Sequence, residues 1–130
     1  MILGLGIDLC NIPRMMKAVR SEHFVRRVFH PEEIAYAYEK CEKNELARAA
    51  RFASSFAARE AFSKASGVPM YKIAFSQSVY LKRSSKAPAL IVAHSLDEAF
   101  EAGKKRAWVS LSHDGDYAAA VVVIEKIGPD

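Results

Sequence analysis

The chain has 130 residues, is 51% hydrophobic and 26% charged, and carries a formal net charge of +4. That composition excludes a disordered or low-complexity chain and bounds the answer to one compact unit, read as a single domain over residues 1–130. The longest apolar run, Tyr117 to Ile124, falls far short of the ~20 residues of a membrane-spanning helix. The N-terminus has no cationic start and long apolar stretch of a secretory leader, so the cytoplasm is expected. Cys10 and Cys41 stand far apart with no C-x-x-C spacing, which argues against a disulfide scaffold or zinc site. The positive balance suits an anionic partner: a nucleic acid, a nucleotide-like cofactor or an acidic protein.

Ile2 to Asp8, apolar with glycines at 4 and 6, reads as a first strand. Asn11 with Pro13 predicts a helix carrying Arg14, Met15, Met16 and Lys17. Pro31-Glu32-Glu33 predicts a second helix start, the acids lying where the helix dipole favours them. From Asn44 to Ser66 the chain is rich in Ala, Glu, Arg and Lys, without Gly or Pro. It predicts one long helix stopped at Gly67. Alternation over Ile73 to Leu81 predicts a half-buried strand, and Pro88 to Ala93 another. Ser95-Leu96-Asp97-Glu98 has the capping-box form and opens a short helix ending near Gly103. Trp108–Leu111 and Tyr117–Ile124 read as two strands around a turn at His113-Asp114-Gly115-Asp116. This order predicts an α+β fold: a mostly antiparallel sheet packed on one long and several short helices. Gly4-x-Gly6 lacks the third glycine and the following helix of a dinucleotide fingerprint.

Three places hold polar residues in unexpected company. Asp8 ends an apolar strand, Glu60 and Lys64 sit in the alanine-rich helix, and Ser112-His113-Asp114 follow the Trp108 strand. Phe52, Phe56, Glu60 and Lys64 are four apart and form one slowly drifting row. By spacing alone, Glu60 and Lys64 equally describe an exposed ion pair, and Asp8 a turn or cap residue.

The run from Arg51 to Ala65, centred on Phe56-Ala57-Ala58-Arg59-Glu60-Ala61-Phe62-Ser63-Lys64, resembles the signature helix of the 4′-phosphopantetheinyl transferase superfamily. Gly6-Ile7-Asp8 with Arg14, and Val109 to Asp114 with Tyr117-Ala118-Ala119-Ala120, resemble its other two signatures. Length and motif order match the small single-domain branch. There are departures. Arg59 stands where the family usually has lysine. The glycine-rich loop after the helix is reduced to Val68-Pro69-Met70-Tyr71, and the usual Gly-Lys-Pro turn is Lys86-Ala87-Pro88.

The resemblance implies transfer of phosphopantetheine from coenzyme A to a serine of an acyl carrier protein in fatty acid biosynthesis, with adenosine 3′,5′-bisphosphate leaving. It implies Mg2+ held by Asp8 and Glu60, and Lys64 at the phosphates. Glu60 or Asp8, directly or through a metal-bound water, is implied as general base. His113 and Ser112, with Arg51, are implied near the 3′-phosphate of coenzyme A. The branch is homotrimeric, so His113 would serve a site whose Asp8 and Glu60 belong to another copy. For the acidic carrier, Arg14, Arg20, Arg26 and Arg27, with Lys17, surround Met16, Phe24, Val25 and Val28 as apolar anchors. A carrier domain of polyketide or peptide synthesis is the alternative within this reading. An RNA-binding module is the alternative outside it, and needs exposed aromatics beside the cations. The expected pattern is neither nucleic acid nor membrane as partner.

Overall fold

The computed structural model describes residues 1–39, 43–74, 78–83, 87–93, 96, 100 and 103–128. Its elements run β1 (Ile2–Asn11), α1 (Ile12–Ala18), α2 (Glu22–Val28), α3 (Pro31–Tyr38), α4 (Glu45–Ser66), α5 (Met70–Ala74), β2 (Val79–Lys82), β3 (Ala89–Val92), β4 (Lys105–Asp114) and β5 (Tyr117–Lys126). The strands form an antiparallel sheet in the order β1-β5-β4 and a separate antiparallel β2-β3 pair. This is the expected α+β architecture.

The helix ends follow their local chemistry. The Asn11 side chain accepts the Arg14 N–H and caps α1, and Asn44 does the same for Ala47 in α4. Gly67 ends α4 at φ +77°, the left-handed conformation that glycine adopts without strain. His30 and Glu33 form a reciprocal capping box at α3. Ser21 caps α2, with Glu22 in its first turn. That break divides the stretch from Arg14 to Phe29 into two helices, and the cap serine before an acid is the signal that marks it.

The strand expected over Ile73–Leu81 is corrected. Met70–Ala74 is helical, with the Lys72 N–H bonded to the Pro69 carbonyl and Ile73 and Ala74 buried. Proline sets the entry φ, and burying Ile73 on α4 outweighs a pattern that strand and helix both satisfy over so few residues. Only Val79 and Leu81 point inward as a strand. Phe75, Ser76 and Gln77, which completed the alternation, lie outside the described residues, as does most of the helix expected from Ser95.

α4 crosses one face of the three-stranded sheet. Ala57, Ala58, Ala61 and Phe62 pack there with Ala120, Val122 and Ile124 of β5 and with Ile73, Val79 and Leu81. A second core joins Ile12, Met15, Val25, Val28 and Phe29 to Phe52 and Ala53. Val25 and Val28, read from the sequence as anchors for a partner, belong to this core at 6% and 2% exposure. A buried ion pair ties the layers together. Arg59 reaches both oxygens of Glu33, which also accept the backbone N–H groups of His30 and Leu81. Both Glu33 oxygens are thereby satisfied, as burial of charge demands, while Arg59 Nε is left buried without a partner among the described residues.

Candidate functional site

The site forms where β1 passes along α4. Gly4 and Gly6 lie against the helix backbone: a Cβ at Gly4 would overlap the Ala65 carbonyl, and one at Gly6 the Ala61 carbonyl. The glycine pair is therefore a packing device that lets strand and helix backbones touch. On the same side of β1, two residues on, comes Asp8.

The Phe52–Phe56–Glu60–Lys64 row rises out of the core along α4. Phe52 is buried, Phe56 and Glu60 are half-buried, and Lys64 is exposed. The last two members meet Asp8. Lys64 Nζ donates to Asp8 Oδ1 at 2.8 Å and to the Ile7 carbonyl at 3.0 Å. Glu60, one turn before Lys64 on α4, lies near enough to the Asp8 carboxylate for Asp8 to raise its proton affinity. The remaining Asp8 oxygen, Oδ2, is buried with no hydrogen-bond partner.

Two carboxylates held together raise the proton affinity of one of them. Burial first, then the hydrogen bond and charge of Asp8, push Glu60 up to about 7, with Lys64 opposing. Asp8 in turn pushes the Lys64 pKa up. Cys10, next inward on β1, is pushed up to about 11 by burial and by Glu60 and Asp8, so its thiol is a packing group rather than a nucleophile.

This donor set fits a hard divalent cation. An unsatisfied buried carboxylate oxygen beside a second carboxylate is what magnesium needs, since it takes one or two protein carboxylates and fills its octahedron with water and phosphate oxygens. A closed all-protein cage is a different arrangement; no cluster of three or more His, Cys, Asp or Glu ligands occurs among the described residues.

The other residues singled out in the sequence stand elsewhere. Ser112 and His113 end β4, exposed. Asp8 shares a row with Ala120 and Leu111, whereas His113 is paired with Ala118. Strand spacing and rise then put the Asp8 and His113 backbones about 12 Å apart. Arg51 lies nine residues before Glu60, half a turn round α4 and about 14 Å down its axis. Its Nη1 donates to the Tyr36 and Glu39 carbonyls at the end of α3. One chain thus gathers Asp8, Glu60 and Lys64, and leaves Ser112, His113 and Arg51 outside that group.

On α1 and α2, Arg14 is exposed, Arg20 pairs with Glu45 at 3.0 Å and Arg26 with Glu22 at 2.6 Å. Arg27 is exposed on α2, and Phe24 is half-buried with its edge on Phe29. A cleft of about 400 Å³ opens here between Val19, Arg20, Val25, Arg26, Ile34 and Tyr38. The opposite face of the sheet is apolar and uncovered: Leu3, Leu5, Ile7 and Leu9 of β1 are 46–66% exposed and Trp108 of β4 is 50% exposed. No helix among the described residues is long and apolar enough to cross a membrane.

The chain as a whole is similar to known proteins. The family model described as the 4′-phosphopantetheinyl transferase superfamily matches residues 4–122. A holo-[acyl-carrier-protein] synthase of Anaeromyxobacter dehalogenans is 37% identical over 135 residues, covering 99% of this chain and all of that protein. The crystal structure of the Neisseria meningitidis holo-[acyl-carrier-protein] synthase superposes with a TM-score of 0.75 at 28% identity, over 97% of this chain and 100% of the other. That of the Helicobacter pylori enzyme in complex with coenzyme A gives 0.74 at 29% identity, over 93% and 99%.

Proposed function

The chain belongs to the 4′-phosphopantetheinyl transferase superfamily, in its holo-[acyl-carrier-protein] synthase branch, and on that footing we propose that it moves phosphopantetheine from coenzyme A to a serine of an acyl carrier protein, with Mg2+, in fatty acid biosynthesis in the cytoplasm. The observation that carries this reading is the meeting of Asp8, Glu60 and Lys64 on the β1–α4 contact.

Asp8 and Glu60 are the residues to hold the magnesium ion. When bound, it supplies positive charge to the pyrophosphate oxygens as the phosphorus–oxygen bond breaks. Glu60 or Asp8 accepts the proton of the attacking serine hydroxyl. The serine oxygen bonds to the phosphorus bearing the pantetheine, and the bond from that phosphorus to the bridging oxygen breaks. The leaving adenosine 3′,5′-bisphosphate keeps the electron pair. Lys64, exposed and long, swings its ammonium from Asp8 to that developing charge.

The wider arrangement follows the same proposal. Ser112 and His113 serve the nucleotide of coenzyme A in a site whose Asp8 and Glu60 belong to a neighbouring copy. A homotrimer formed through the uncovered apolar face of the sheet accounts for both the separation within one chain and the exposure of Leu3, Leu5, Ile7 and Leu9. The carrier docks on α1 and α2 through Arg14, Arg20, Arg26 and Arg27 around Phe24.

Intact-mass measurement tests the reading directly. Apo carrier protein incubated with this protein, coenzyme A and Mg2+ is expected to gain one phosphopantetheine, and only with Mg2+ present. An unchanged carrier mass, with the protein folded and the carrier competent for another transferase, overturns it.

A further inference from the structure

Arg59 and Glu33 take no direct part in the chemistry above, yet Arg59 is the residue before Glu60 on α4. Both side chains are closed to solvent, at 0% and 1% exposure. Arg59 Nη1 donates to Glu33 Oε2 at 2.9 Å and to the Ser55 carbonyl of its own helix at 3.1 Å, and Nη2 donates to Glu33 Oε1. The guanidinium lies over the Phe29 ring at 5.2 Å. Glu33 in turn accepts the His30 N–H at the start of α3 and the Leu81 N–H of β2. One carboxylate thus joins α3, β2 and the turn of α4 that carries Glu60.

Stability alone does not account for this pair. Taking two charges out of water costs roughly what their attraction returns, and well-packed apolar side chains of similar volume do as well or better. Arg59 also strands its Nε, which is buried without a partner among the described residues. A buried donor left unbonded costs free energy. What the planar fork gives in return is direction: two parallel N–H groups on one carboxylate fix the angle of the side chain that bears them.

That direction matters at Glu60. Successive helix residues stand about 100° apart round the axis. On one side Gly6 of β1 lies against the Ala61 carbonyl, and on another Glu33 grips Arg59. The two holds fall on the residues flanking Glu60 and fix the rotation of α4 where its carboxylate meets Asp8. A side-chain tip stands about 6 Å from a helix axis, so a turn of about 20° carries it about 2 Å. Magnesium holds its oxygen ligands at about 2.1 Å in a near-ideal octahedron and tolerates little of such a shift.

We infer that Arg59, clamped by Glu33, is a positioning residue that sets the angle at which Glu60 faces Asp8, and so the affinity of the two carboxylates for Mg2+. The inference rests on Asp8 and Glu60 being the magnesium ligands of the proposed transferase.

Calorimetry tests it. Mg2+ is titrated into the intact protein saturated with coenzyme A, with no carrier present, beside melting curves and KM values. The informative variant is the double one, Glu33→Gln with Arg59→Met, since Arg59→Met alone leaves a buried carboxylate unpaired. The double variant is expected to stay folded with a Tm close to that of the unaltered protein, while its Mg2+ affinity falls at least tenfold. The Mg2+ concentration needed for transfer is expected to rise in step, with the KM for carrier unchanged. Arg59→Lys, with Glu33 kept, is expected to hold an intermediate Mg2+ affinity. Unchanged Mg2+ affinity in the folded double variant overturns the inference. So does a double variant that unfolds, or one that loses affinity for Mg2+, coenzyme A and carrier together at a lower Tm, because either marks the pair as support for the fold alone. Weaker Mg2+ binding by the double variant of a protein that fails the carrier mass assay leaves the positioning role standing and removes the transferase reading. Unchanged Mg2+ binding in a protein that passes that assay does the reverse.

Discussion

Gly6 runs beneath the carbonyl of Ala61 with no room for a methyl group between strand and helix. This contact brings Asp8, two residues further along β1, to the level of Glu60 and Lys64. Gly6→Ala is expected to push β1 away from α4 and to destabilise the fold by about 3 kcal/mol, since the obstacle is backbone and cannot rotate aside. Chemical denaturation checks the stability. An Ala variant with unchanged stability and activity would show that the close approach is not required.

Glu60 is the group whose protonation the fold alters most clearly. Its pKa is raised from 4.5 to about 7, so the folded state binds its proton more tightly than the unfolded chain does. That contribution to stability is fully present below pH 4.5 and is lost as pH rises through about 7. Without metal, the protein is expected to lose stability across that window relative to Glu60→Gln, which carries no such proton. Melting curves at stepped pH in chelator, for both proteins, measure this; parallel curves for the two would exclude it. The same variant is expected to retain its fold and to lose transfer by about 10²–10⁴-fold.

Arg14 is exposed at the start of α1, and Arg26 pairs with Glu22 on the exposed face of α2. Reversing both charges, Arg14→Glu with Arg26→Glu, is expected to raise the KM for carrier about tenfold and leave that for coenzyme A unchanged. Long-range attraction steers an acidic partner and fades with salt, so the difference should shrink at high ionic strength. An unchanged carrier KM at low salt removes this surface from the docking site.

Asp8 and His113 stand apart in one chain, and a shared site would join them across copies. Subunit exchange between Asp8→Ala and His113→Ala proteins should then recover part of the transfer lost in each, because mixed assemblies contain some intact sites. Exchange followed by native mass spectrometry, with activity read in parallel, decides the matter. Mixed species without any recovery would place the whole site within one copy.

Asn44, the alanine-rich run after it and Gly67 determined α4 from the sequence alone, because caps, propensity and a glycine stop act within a few residues. The Phe52–Phe56–Glu60–Lys64 row was legible for the same reason: helical spacing is local. So was the β4–β5 hairpin, whose Gly115 takes φ +56° at the turn. The helix at Met70 was not, because five residues carry too little periodicity and burial of Ile73 on a distant helix decided between helix and strand. Nor was the purpose of Gly4 and Gly6, which depends on which backbone lies opposite them. Asp8 beside Glu60, the orphaned Asp8 oxygen, and Arg59 closed in against Glu33 exist only once β1, α3, α4 and β2 have packed. Proximity between residues far apart along a chain, and the burial that shifts or strands their charges, are properties of the packed interior and are written in no short stretch of sequence.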